Sequence, residues 1–149
     1  MKFSTREDVN APAQVVFDAV SDFDTFETMI ARRGATVQRT DSLTSPDKGM
    51  SWDVGFRFRG RDRQAEVELV KYKAPDELLF ESRTGGLDVE FQIEVIAVSP
   101  TKSRVKVVLD LQPKTLSARL MVQSMRLAKS TLTNKFKRRV AEYIDRIEQ

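Results

Sequence analysis

The sequence contains no cysteine and no histidine. Without cysteine there are no disulfides and no thiolate nucleophile. Without histidine there is no Ser-His triad, and with both missing there is no Cys/His zinc site. Acid–base chemistry would fall to carboxylates, lysines or tyrosines with shifted proton affinities. No Asp/Glu cluster has the spacing of a calcium loop, so neither a metal nor a cofactor is expected, and no catalytic residue stands out. Long apolar runs are missing too: none approaches the roughly 20 residues that span a bilayer. The opening Met1-Lys2-Phe3-Ser4-Thr5-Arg6-Glu7-Asp8 is charged with no apolar stretch behind it. That reads against a secretory signal and makes the cytoplasm the expected compartment.

The 149 residues are 40% hydrophobic and 32% charged, which suits one globular domain, 1–149, with a core of its own. The net charge of +3 is unevenly spread. Residues 1–113 hold 16 Lys/Arg and 19 Asp/Glu, whereas residues 114–149 hold 9 and 3. The basic excess therefore lies on the last segment.

Residues 2–9 alternate weakly, as a first strand would. Asn10-Ala11-Pro12 reads as a helix start, a capping side chain followed by proline in the first turn. Val15, Val16, Phe17 and Val20 give that helix an apolar face. Ser21-Asp22 interrupts it and offers a second cap, with Asp24 or Thr25 close behind. A second short helix over about 23–33 carries Phe23, Phe26, Met29 and Ile30, and Gly34 suits its left-handed end. From Ala35 to Gln112 the period changes to two, punctuated by turn chemistry at 44–49, 73–76 and 99–102. Trp52, Val54, Phe56 and Phe58 alternate with polar residues, as do Ala65, Val67 and Leu69, then Leu87 to Val95, then Val105 to Leu111. One apolar and one charged face describe an antiparallel sheet solvated on one side, and short connections favour a meander. Arg57, Arg59, Arg61 and Arg63 are expected on the outer face, pairing with Glu66 and Glu68. With Phe56 and Phe58 inward, no exposed aromatics interleave with these arginines, so no DNA partner is expected.

Thr115 to about Ile147 lacks proline and glycine and reads as one helix roughly 50 Å long at about 1.5 Å per residue. On a helical wheel, Leu116, Leu120, Met121, Leu127 and Leu132 fall on a different side from Phe136, Val140, Tyr143, Ile144 and Ile147. This predicts a bend or a change of packing near 130–134.

Two helices after a first strand, a six-strand meander and a closing long helix resemble the START-like (SRPBCC) superfamily, in its polyketide cyclase/dehydrase and lipid-transport branch. The local match is Asn-Ala-Pro-Ala-Gln-Val-Val-Phe-Asp-Ala-Val-Ser-Asp-Phe-Asp at 10–24, where Pro12 starts a helix, Val16 and Phe17 pack and Asp22 caps. Coenzyme Q-binding and ribosome-associating members usually have a Tyr-Pro-x-Phe-type segment at the second helix. This chain departs from it with Phe23-Asp24-Thr25-Phe26-Glu27-Thr28. The resemblance implies an α+β helix-grip fold, a curved antiparallel sheet of about seven strands around a long C-terminal helix, with two short helices after the first strand. It also implies an apolar cavity between the sheet's concave face and the first half of that helix. Expected lining residues are Trp52, Phe56, Phe58, Leu69, Phe80, Phe91, Leu120, Ser124 and Leu127. The function it points to is binding or transport of a small hydrophobic molecule (a lipid, isoprenoid or polyketide-like aromatic). Its alternatives are a polyketide cyclase or dehydratase, or docking of the basic helix (Arg119, Arg126, Lys129, Lys137, Arg138, Arg139) on an anionic membrane or a ribosome.

Overall fold

Period-two alternation interrupted by short turns builds the sheet that dominates the molecule. The computed structural model describes residues 1–148. In chain order the elements are β1 (Lys2–Val9), α1 (Ala13–Val20), α2 (Phe23–Arg32), β2 (Thr36–Arg39), β3 (Ser51–Phe58), β4 (Arg61–Lys73), β5 (Glu77–Thr84), β6 (Leu87–Ser99), β7 (Lys102–Pro113), α3 (Leu116–Leu127) and α4 (Lys129–Ile147). The seven strands form one antiparallel sheet in the order β1-β7-β6-β5-β4-β3-β2. The first two strands thus lie on opposite edges, and α1 and α2 carry the chain between them. This is the helix-grip α+β architecture.

The helix boundaries follow local chemistry. Asp22 caps α2, accepting from the Thr25 backbone N–H at 3.3 Å and from its hydroxyl at 2.7 Å, and Gly34 follows with φ +93°. Asn10 does not cap α1. Pro12 occupies the N-cap without a side-chain bond, and the Asn10 N–H instead donates to Glu148 at 2.8 Å, tying the two ends of the chain together. Between β5 and β6 the two-residue turn Gly85-Gly86 has both φ positive. A β-carbon on Gly86 would stand 2.4 Å from the Thr115 hydroxyl, so glycine lets this hairpin lie against the α3 cap.

The chain's second half departs from the single helix expected. Ala128, at φ −109° and ψ 19°, separates α3 from α4, slightly ahead of the 130–134 region. The two pieces do meet different surroundings. α3 buries Ala118 and Val122, and Val122, with Met121 and Met125 half-buried, joins a cluster with Phe3, Leu87 and Leu111. α4 packs Ile144, Phe136, Val140, Tyr143 and Ile147 against the larger core of Val16, Phe17, Leu69, Leu78 and Val105. The face of α3 that docks is, however, opposite to its leucines. Leu116, Leu120 and Leu127 are 72%, 59% and 92% exposed.

Parity also shifts at two places in the sheet. The Arg59-Gly60 turn sets Phe58 opposite Arg61 and Phe56 opposite Arg63, so Arg61 and Arg63 share the face of the phenylalanines. The expected pairing of the arginines with Glu66 and Glu68 does not form. Those glutamates lie across from Asp53 and Ser51 on one side and from Arg83 and Glu81 on the other. In β4, a bulge between Leu69 and Lys71 turns Tyr72 inward, where its ring meets Phe17 at 5.5 Å.

Candidate ligand-binding site

The inward face of β3 to β6 is not sealed by the C-terminal helix along its whole width. Over β3, β5 and β6 it is covered by α2, and there an apolar space of about 310 Å³ opens to solvent, walled by Val20, Phe23, Phe26, Glu27, Ile30, Val37, Trp52, Val54, Val67, Phe80, Ser82, Val89, Phe91 and Ile93. A second lobe of about 390 Å³ adjoins it between α2, β6, β7 and α4. Val20, Phe26, Ile30, Phe91 and Ile93 border both lobes. Concave apolar spaces of this size are where small ligands sit.

Aromatic packing shapes the first lobe. Phe23, Trp52 and Phe80 form a triangle with ring centroids 5.6, 6.0 and 6.2 Å apart, and Phe91 follows Phe80 at 6.2 Å. Trp52 is anchored from two sides. Its indole N–H donates to Glu27 Oε1 at 2.7 Å, and the Arg39 guanidinium lies 5.8 Å from its ring centre. Arg39 is itself fixed by a two-pronged bond to Asp41, at 2.7 and 2.6 Å. Asp41 also accepts the Leu43 and Ser51 backbone N–H groups at 2.9 and 2.8 Å. The Arg39 bonds and those backbone donors hold the Asp41 carboxyl well below the usual carboxylate range, and the Asp41 partner pushes Arg39 up. This unit clamps the ends of β2 and β3, and with them the indole.

In the second lobe Tyr143 reaches across from α4. Its hydroxyl donates to the Ala19 carbonyl at 2.8 Å, and its ring lies 5.3 Å from that of Phe26. Burial pushes the phenol up to about 12 from an ordinary 10, helped by the nearby Asp22 charge. A raised tyrosine value favours the neutral form in the folded state. The associated stability is therefore complete below pH 10 and is lost as pH climbs through about 12. Since the ring is only partly buried, the loss is about 1–2 kcal/mol. Denaturant melts at pH 9 and 11.5 should show this drop in the native protein and a smaller one in Tyr143→Phe.

Of the residues expected from sequence, Trp52, Phe80 and Phe91 line the first lobe. Leu69 is fully buried in the main core. Phe56 and Phe58 lie near the β3–β4 turn, away from both lobes. Phe58 is 39% exposed and flanked by Arg59 and Arg63, 5.5 and 5.6 Å from its ring centre. Leu120, Ser124 and Leu127 lie on the exposed side of α3 and border neither lobe. The helical wall comes instead from α2 and α4, because α3 docks at the β7 side on its small residues. The residues missed, above all Phe23, Phe26, Glu27 and Ile30, had a visible signal in the apolar spacing of α2. That spacing reads equally well as core.

A larger concavity, about 650 Å³, is of another kind. It lies on the outer face of the sheet among Asp53, Glu66, Glu68, Glu81, Asp88 and Glu90, with Arg83 as the cation in its wall. Glu68, Glu81, Glu90 and Asp110 follow one another across four strands. Such a wall favours water over an apolar ligand. Among the described residues no three acidic groups converge closely enough to hold a metal ion.

A sequence model of the polyketide cyclase/dehydrase and lipid transport family matches residues 1–146, and the chain belongs to that family. No curated protein sequence matches it. Among solved structures it is similar to the Zhui aromatase/cyclase of Streptomyces sp. R1128, with a TM-score of 0.68 at 9% identity over 99% of this chain and 93% of that one. Norcoclaurine synthase from Thalictrum flavum, solved with dopamine and hydroxybenzaldehyde, gives 0.66 at 12% identity, covering 99% and 85%. A START superfamily protein from Mycobacterium smegmatis gives 0.57 at 12% identity, covering 90% and 95%. At such identities these likenesses establish a shared fold; the neighbours include both enzymes and proteins named only by their fold. Among the described residues no helix is long and apolar enough to cross a membrane.

Proposed function

We propose that the protein binds and carries a small hydrophobic molecule (a lipid, isoprenoid or polyketide-like aromatic) in the cytoplasm, holding it between α2 and the inner face of the sheet. The apolar lobe around Trp52, Phe80 and Phe91 is the observation that supports this reading. Burial of the ligand's apolar surface supplies the affinity, at about 25 cal/mol per Å² before ordering costs. Binding is favoured over cyclisation because the lobe's wall presents one carboxylate, Glu27, already bonded to Trp52, with no second acid–base group beside it among the described residues. Native mass spectrometry of protein purified gently from its own host, followed by organic extraction, tests the proposal. An added mass that extraction removes supports it. A bare mass, together with failure of hydrophobic probes to perturb Trp52 fluorescence, refutes it.

A second reading concerns delivery. The exposed leucines of α3 form one stripe, and no acidic residue occurs between Leu111 and Ala141 while eight Lys/Arg do. Apolar side chains beside cations suit the interface of an anionic membrane. We infer that α3 rests on such a surface, with Arg119, Arg126 and Lys129 at the headgroups and Lys137, Arg138 and Arg139 adding long-range attraction. Sedimentation should show binding to phosphatidylserine vesicles that salt and Leu127→Glu both weaken, and none to phosphatidylcholine. Binding to ribosomes instead would reject the membrane.

A further inference from the structure

Glu27 is the one ionisable side chain in the wall of the 310 Å³ lobe among the described residues. It projects from α2, half-buried, with Phe23, Phe26 and Ile30 of the same helix beside it in that wall. One carboxylate oxygen accepts the Trp52 indole N–H at 2.7 Å. No protein donor among the described residues reaches the other, which therefore retains its full capacity to accept a hydrogen bond. Arg39, over the Trp52 ring, is near enough to feel the Glu27 charge. Even so, a carboxylate set among aromatic and branched aliphatic groups makes stronger bonds to donors than one in water, and it repels other anions more strongly. Besides the Trp52 indole N–H, already bonded to Glu27, the other side-chain polar group in this wall among the described residues is the hydroxyl of Ser82.

We propose that Glu27 sets the chemical class of the ligand: a compact apolar molecule carrying one hydrogen-bond donor, an alcohol, phenol or amine, and no carboxylate of its own. The inference rests on the carrier reading above and adds to it which end of the ligand is recognised. The donor bonds the free oxygen of Glu27, while the hydrocarbon part lies along Trp52, Phe80 and Phe91. The second lobe carries the opposite net charge, since Arg33, Arg139 and Arg146 border it against one carboxylate, Glu142. An anionic amphiphile would put its head there and ignore Glu27, so the two arrangements predict opposite ligand rankings.

Octane, 1-octanol, octylamine and octanoate share one tail and differ in the head. All are transparent where Trp52, the sole tryptophan, absorbs and emits. Titrations of the full chain followed by Trp52 fluorescence, and repeated by calorimetry, should give octanol and octylamine at least about tenfold tighter binding than octanoate. Glu27→Gln keeps an oxygen for the indole N–H and removes the charge. It should reduce the octylamine-over-octanoate preference about tenfold or more. Glu27→Asp, which keeps the charge on a shorter arm, should retain the exclusion of octanoate, with circular dichroism checking that both variants fold. Octanoate binding as tightly as octylamine, or a ranking that Glu27→Gln does not alter, overturns the assignment while octane binding still upholds the carrier. Failure of all four molecules to bind overturns the carrier reading and this assignment with it.

Discussion

Leu69→Ala is expected to lower the unfolding free energy by about 3–4 kcal/mol, because it empties the centre of the core and not the edge of a binding site. Leu69 has no exposed surface and packs with Val16, Phe17, Leu78 and Val95 under α1 and α4. Its backbone is pinned as well, its N–H bonded to the Met50 carbonyl and its own carbonyl to the Gly49 N–H, both at 2.8 Å. The neighbouring backbone therefore has little freedom to collapse into the space, which places the cost toward the upper part of the usual range. For a chain of this length the melting midpoint should fall by about 10 °C. Leu127→Ala is the internal comparison. At 92% exposure it should change stability by less than about 0.5 kcal/mol. Thermal and denaturant melts of the two variants together locate the boundary between core and surface that the leucine pattern alone obscures.

The second large effect concerns the lobe itself. Val67→Phe on β4 adds ring volume beside Trp52 and Ser82, projecting into the 310 Å³ lobe. Filling it should weaken the binding of octane or any comparable probe by more than tenfold. The melting midpoint should hold or rise, since the new ring gains dispersion contacts without displacing packed atoms. If the inner face were instead a closed, close-packed interior, the same change would overpack it. The cost would then be about 1–3 kcal/mol, with no binding to lose. Stability and affinity therefore move in different directions under the two accounts, and measuring both on one variant separates them.

Much of this architecture was legible from local chemistry. Period-two alternation with Trp52 and Val54 inward, the same pattern in Ala65–Leu69, Leu87–Val95 and Val105–Leu111, and turn residues between the runs identified β3, β4, β6 and β7. Asp22 with Thr25, and Gly34, marked the ends of α2. These signals are readable because each depends on residues within a few positions of one another. The candidate site was legible only in part. Trp52, Phe80 and Phe91 carried the right parity and stand in the wall of the lobe. Phe56 and Phe58 carried the same parity and do not, because they lie beyond the helices that cover the sheet. Parity states which face a side chain is on, not what stands opposite it.

By itself, then, the sequence determined the class of fold, the face of the sheet that turns inward and the exclusion of thiol and imidazole chemistry. Which helix roofs the cavity was decided only by tertiary structure. α3 has two apolar stripes, and it docked on Ala118 and Val122 because small side chains let it approach β7 closely, leaving Leu116, Leu120 and Leu127 outside. α2 was thereby left to cover β3, β5 and β6, bringing Glu27 to Trp52 across 25 residues of chain. No local period encodes that meeting. It arises from helices and strands competing for one apolar face, and burial of the whole surface settled the competition.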